Sequence, residues 1–109
     1  MKLAIVGSRS IYIDDIEKYI PQDVTEIVSG GAKGIDTCAR NYAIENGIAL
    51  KEFLPDYSHY RKYAPLKRNA DIIEYADKVL IFWDKKSKGT ENVINECKKR
   101  HIDYKLIII

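Results

Sequence analysis

Long apolar runs are missing from this chain. The apolar stretches, such as "VLIFW" at 79–83, fall far short of the roughly 20 residues a membrane helix needs, so no membrane partner is expected. The start, "MKLAIVGSRS", reaches a glycine after a short apolar stretch and does not read as a signal peptide. Cytoplasmic location is the resulting expectation. Cysteine is scarce. Cys38 and Cys97 fall at apolar positions of helical patterns, which reads as buried, reduced thiols and excludes a disulfide framework. Two histidines and two cysteines scattered along the chain make no ligand cluster, so neither a metal nor another resident cofactor is expected. No GxSxG elbow and no workable Ser-His-Asp order is present. Neither GxGxxG nor GxxxxGK[ST] occurs, which disfavours classical dinucleotide binding and a P-loop NTPase. A strong charge of one sign is also lacking. The formal net charge is +2, which permits an anionic ligand without demanding nucleic acid.

What is present is a regular alternation of short apolar runs with amphipathic stretches, the pattern of βαβ units around a parallel sheet. The spacing predicts strands at Leu3–Val6, Glu26–Val28, Ala49–Leu54, Val79–Trp83 and Leu106–Ile109. It predicts helices at about Asp14–Ile20, Gly34–Gly47, Pro65–Tyr75 and Thr90–Arg100. The second helix has the cleanest period, with Ile35, Cys38, Ala39, Tyr42 and Ala43 on one side and Gly47 as its stop. Lys51 and Glu52 mark the third strand as an edge, whereas the fourth is apolar throughout and should be central. The 109 residues therefore read as one Rossmann-like, doubly wound α/β domain, 1–109. About five mostly parallel strands, in the order 3-2-1-4-5, are flanked by helices.

Ligands of such sheets bind beyond the carboxyl ends of the strands, where the strand order reverses. Four segments are predicted to meet there. "GSRS" supplies Gly7, Ser8 and Arg9, a hydroxyl and a fork-shaped cation suited to phosphate. "SGGAKGID" supplies Ser29, Gly30, Gly31, Gly34 and Asp36; its glycines form either a backbone cradle for an anion or only a tight strand-to-helix turn. Asp36 either caps amides of the second helix or accepts from a ribose hydroxyl. "KRN" supplies Arg68 and Asn69, and "WDKKSKGT" supplies Trp83, Asp84, Ser87, Gly89 and Thr90, the threonine as a helix cap. The stretch "PDYSHYRKY" at 55–63 interleaves tyrosines with His59, Arg61 and Lys62, which suits base stacking or a packed lid. Carboxylates near the switch point are few: Asp36, Asp84 and Glu91.

Taken in order, "GSR", "VSGGAKGID", "KRNADII" and "ADKVLIFWD..SKGT" resemble the SLOG superfamily, and within it the small stand-alone bacterial domains of the YspA-like type. The resemblance spans about residues 3–97. It implies a pocket for a nucleotide or nucleotide-derived ligand lined by Gly7, Ser8, Arg9, Gly30, Gly31, Arg68, Asn69, Ser87, Gly89 and Thr90. Two relatives imply different uses. The LOG phosphoribohydrolases split the base from a nucleoside monophosphate and place a glutamate two or three residues past the Gly-Thr of their motif. Here "SKGTENV" has Asn92 and Val93 at those positions. Glu91 falls one residue too early, a rotation of about 100° on a helix. The DNA-processing protein that binds single strands during transformation has similar "GSR", "SGGAKGID" and "RN..I" stretches. The expectation that follows is a module binding or sensing a nucleotide-like phosphate ligand. The first alternative is a hydrolase of the N-glycosidic type with Glu91 or Asp84 as catalytic carboxylate. The second is single-stranded nucleic-acid binding. Exposed tyrosines on helices suggest a homodimer or higher homo-oligomer.

Overall fold

The computed structural model covers Met1–Ile109. The organising element is β1 (Lys2–Gly7), in which Leu3 and Ile5 pack on one face and Ala4 and Val6 on the other, all four buried. A strand covered on both faces belongs inside a sheet. β1 pairs in parallel with β2 (Glu26–Ser29), and β2 pairs with β3 (Ala49–Glu52). On its other side β1 pairs with β4 (Lys78–Trp83), which pairs with β5 (Tyr104–Ile108). All pairings are parallel, and the order is β3-β2-β1-β4-β5, as the patterning predicts. The half-charged β3 is one edge, β5 is the other, and the apolar run of β4 is interior.

Each face has its own core. On one, Leu3, Ile5, Ile27, Leu80 and Phe82 meet Ile35, Ala39 and Ala43 of α1 (Ile35–Glu45). The other face is covered by two longer helices, which follow the one-turn helix α2 (Tyr57–Tyr60) in the chain. There Ala4, Val6, Val28, Val79 and Ile81 meet Ile72 and Ile73 of α3 (Ala64–Tyr75) and Val93, Ile94 and Cys97 of α4 (Lys88–Arg100). Burying a side chain of this size stabilises the fold by ~1.5–3 kcal/mol, so these two layers dominate its energetics. Both thiols are free; Cys97 is buried, while Cys38 is only half-buried against the α1 core.

Several expectations need correction. The helix expected at Asp14–Ile20 is a single 3-10 turn, Ile16–Tyr19. Asp15 makes no side-chain cap and Ile20 is already extended before Pro21, so too few residues remain to offset the cost of helix nucleation. The helix expected to open at Thr90 opens at Lys88, because Ser87 rather than Thr90 caps it: Ser87 Oγ accepts the Thr90 N–H at 3.3 Å. The stretch 55–63, read as a loop, contains α2 and a 3-10 turn, Arg61–Tyr63. Its trigger is Asp56, whose carboxylate accepts the His59 N–H at 3.2 Å. The third strand stops at Glu52 instead of Leu54, and the last runs Tyr104–Ile108 instead of 106–109.

Candidate functional site

Following the chain from the carboxyl end of β1, the backbone is clamped against the start of α1. The Ser8 carbonyl accepts N–H groups from Ile11 (3.3 Å) and Ile35 (3.4 Å). Gly34 makes this approach possible. It has φ +70°, and a β-carbon there would lie 2.5 Å from the carbonyl oxygens of both Ser8 and Arg9. Ser8 is itself buried, and its Oγ accepts the Asp84 N–H at 3.3 Å, tying the β1 loop to the β4 loop. Asp84 Oδ1 accepts the N–H groups of Lys86 (2.8 Å) and Ser87 (2.9 Å), which folds the β4 loop back towards α4. Those N–H donors hold the Asp84 carboxyl below its ordinary value.

These loops enclose a cavity of about 420 Å³ at the carboxyl ends of β1 and β4. Its wall includes Gly7, Ser8, Arg9, Gly30, Asp36, Arg68, Asn69, Asp84, Ser87, Gly89 and Thr90. Four segments distant in sequence therefore share one hollow. Gly31 lines a second hollow of about 490 Å³ with Lys33, Leu54 and Pro55; Arg9, Gly30, Ala32 and Arg68 belong to both. Ser29, Gly34, Trp83 and Glu91 line neither. Ser29 is fully buried and receives the Gly31 N–H at 3.4 Å. Gly34 is the clamp just described. Trp83 donates its indole N–H to the Ser87 carbonyl at 3.0 Å, and Glu91 is exposed on α4.

Five of the eighteen lysines and arginines form ion pairs, among them Lys18–Asp15 (2.7 Å), Arg40–Glu52 (2.8 Å), Lys67–Asp71 (2.6 Å) and Arg100–Glu96 (3.1 Å). The other lysines and arginines are nearly all exposed, whereas Arg68 is half-buried. Arg9, Arg68 and Lys86 make no ion pair, and neither does Lys33 of the second hollow. Arg68 is aimed by neutral acceptors. Its Nη1 donates to the Gly30 carbonyl (2.7 Å) and more weakly to the Phe53 carbonyl (3.4 Å), and its Nε donates to Asn69 Oδ1 (3.0 Å). Its Nη2 has no protein acceptor. Burial pushes the guanidinium down from its ordinary value and Asp36 pulls it back, while Arg9 adds like-charge repulsion. Asn69 is locked in turn, its amide donating to Asn92 Oδ1 (3.2 Å) and the Gly89 carbonyl (3.4 Å).

The glycine loop behaves differently from a bare amide cradle. The Gly31 N–H is taken by Ser29 and the Ala32 N–H by Asp36 Oδ2 at 3.1 Å, while the Gly30 carbonyl faces Arg68. The N–H groups of Gly30, Lys33 and Gly34 have no protein acceptor, and free backbone donors lie also in the first turn of α4, at Lys88 and Gly89. Space is available there, since a β-carbon on Gly89 would meet nothing within 4 Å. Asp36 is only 6% exposed; burial pushes its carboxyl above the ordinary range, against the pull of the Ala32 N–H and the Arg68 charge. The sequence reading missed Ser10, Pro65 and Lys86 in the cavity wall. Lys86 was within reach, as one of two lysines ahead of the cap in "DKKSKG". Nothing in the local pattern marks Ser10 or Pro65.

A parallel sheet in the order β3-β2-β1-β4-β5, with a donor-rich hollow over the β1–β4 switch point, defines a Rossmann-like domain with a polar cavity at its carboxyl edge. The chain belongs to the DNA recombination-mediator protein A family, whose model matches residues 1–56. The matched part contributes Ser8, Arg9, Gly30 and Asp36 to the cavity, whereas Arg68, Asp84 and the start of α4 come from the half beyond it. No curated protein and no solved structure gives a significant match. No helix is long and apolar enough to cross a membrane, and no cluster of His, Cys, Asp or Glu is arranged to hold a metal ion.

Proposed function

We propose that the cavity binds a nucleotide-type ligand through its phosphate. The observation behind this reading is the set of cations, Arg9, Arg68 and Lys86, that converge on one hollow without a carboxylate partner. Arg9 and Lys86 reach solvent, but Arg68 is half-buried, and holding its charge there without a carboxylate is costly unless a ligand anion completes it. Arg68 would bind phosphate through Nη2, and the first-turn N–H groups of α4 would add backbone donors. Asn69, Ser87 and Thr90 would supply neutral polar contacts to sugar or base.

Titration of the protein with the adenosine, guanosine, cytidine and uridine mono-, di- and triphosphates, followed by melting temperature, tests the reading. A rise in Tm with at least one of them is expected; no shift with any of them overturns it. The same titration, analysed by chromatography, checks for cleavage. Release of free base or sugar phosphate would make the site a hydrolase; of the two carboxylates considered for that role, Asp84 lines the cavity and Glu91 does not.

A second reading is single-stranded nucleic acid. It is favoured by the second hollow, which continues past Arg9 and Arg68 to Lys33, Leu54 and Pro55, so that a phosphate over the two arginines would have room for a nucleoside on each side. The family description, DNA recombination-mediator protein A, points the same way. A gel shift with a short single strand, lost in Arg68→Ala and at moderate salt, supports it; no shift at low salt rules it out.

A further inference from the structure

We propose that Asp36 reads a sugar hydroxyl of the bound nucleotide, so that the site distinguishes ribose from a sugar lacking either its 2′- or its 3′-hydroxyl. The proposal rests on the phosphate-binding reading above and extends it to the sugar. Throughout the molecule, Asp36 Oδ1 is the one buried side-chain polar atom without a hydrogen-bond partner. Native interiors rarely leave such an atom empty, and when they do a ligand or ion is a common reason. Asp36 lies in the cavity wall. Its other oxygen accepts the Ala32 N–H at 3.1 Å, so Oδ1, itself closed off from solvent, is the oxygen without a donor.

The position identifies the kind of group it accepts from. A β-carbon at Gly30 would lie 2.5 Å from Arg68 Nη1 and 3.0 Å from Asp36 Oδ2, so the guanidinium and the carboxyl flank the same point of the loop. A phosphate bound by Arg68 is repelled by a carboxylate, so Asp36 faces what is attached to the phosphate rather than the phosphate itself. In a nucleotide that group is the sugar, and the base lies farther away. A ligand ammonium is disfavoured there, because Arg68 and Arg9 both bear on the same carboxyl. A hydroxyl is a neutral donor, and its bond to a carboxylate is of the strong, charge-assisted kind.

The test uses the wild-type protein and the ribonucleoside 5′-monophosphate, among those of adenosine, guanosine, cytidine and uridine, that binds best by calorimetry. Its 2′-deoxy and 3′-deoxy forms are then titrated under the same conditions. One of them is expected to bind ~10- to 100-fold more weakly, the loss that goes with one hydrogen bond to a charged acceptor. In Asp36→Asn the side-chain oxygen can still take the Ala32 N–H, but the cavity then meets an amide donor, and the preference for ribose is expected to vanish. Equal affinity of the three sugars for the wild type, or discrimination that persists in Asp36→Asn, overturns the proposal while leaving the phosphate site standing. If none of the four monophosphates binds the wild type, the phosphate reading for monophosphates and this proposal fall together.

Discussion

The two ends of the sheet are built from similar residues and treat them in opposite ways. At the amino end polar groups find partners within the protein. The Lys2 ammonium sits over the Tyr75 ring at 4.2 Å, the Tyr75 hydroxyl donates to Glu26 at 2.6 Å, and the Lys2 N–H donates to Asp77 at 2.7 Å. Lys78 lies 3.9 Å from Asp103, and the terminal ammonium donates to the Asp23 carbonyl. At the carboxyl end Arg9, Arg68 and Lys86 have no carboxylate, and Asp36 keeps an empty oxygen. One end satisfies its own charges; the other holds complementary groups apart around a hollow. The difference teaches where stability is spent on function, because a fold selected for stability alone would pair Asp36 with a neighbouring arginine.

Substitutions that break this contrast should rank in a definite order. Two glycines with positive φ, one at each end, give the widest gap. Gly34→Ala is expected to lower the unfolding free energy by ~3–5 kcal/mol, since a left-handed conformation and two carbonyl contacts at 2.5 Å oppose any side chain. Gly47→Ala, with φ +63° and nothing within 4 Å, should cost only ~1 kcal/mol. Urea unfolding of both variants checks the gap. Next, Arg68→Ala is expected to weaken nucleotide binding ~10- to 100-fold, whereas Lys78→Ala at the other end should change it less than about twofold; calorimetry measures both.

The two acidic residues of the cavity sharpen the comparison through pH. Asp84 has a lowered folded-state value, so its ionised form stabilises the fold above its unfolded value, and that contribution is lost as pH falls through the folded one. Asp36 has a raised value, so ionising it disfavours the fold, and the cost grows as pH rises from about 4 towards neutrality. Relative to wild type, Asp84→Asn should therefore become less stable as pH rises towards about 4, and Asp36→Asn more stable as pH rises from about 4 towards neutrality. Denaturant midpoints from pH 3 to 7 are expected to diverge in these opposite directions.

Much of this arrangement was legible beforehand for a simple reason. Short continuous apolar runs mark strands covered on both faces, so β1 and β4 and their switch point follow from "LAIV" and "VLIFW". Gly7, Arg9, Arg68 and Thr90 could then be placed at one edge by topology alone. What stayed hidden depends on which local bond wins. "SKGT" offers two hydroxyls three residues apart, and only the backbone geometry decides that Ser87 takes the Thr90 N–H. The glycine loop looked like a row of free amides, yet Ser29 and Asp36 occupy two of them. The short segment before Pro21 had apolar residues at helical spacing but lacked the length to become more than one turn.

The central claim is that the carboxyl end of the sheet, and no other part of the molecule, is the ligand site. Amide-resolved NMR during titration with the four nucleoside monophosphates tests it most directly. The account predicts shifts concentrated at Ser8, Arg9, Gly30, Ala32, Asn69 and Lys86–Thr90, with Lys2, Glu26, Asp77 and Lys78 unmoved. Shifts centred on the amino end, or no saturable shift with any of the four, would contradict it.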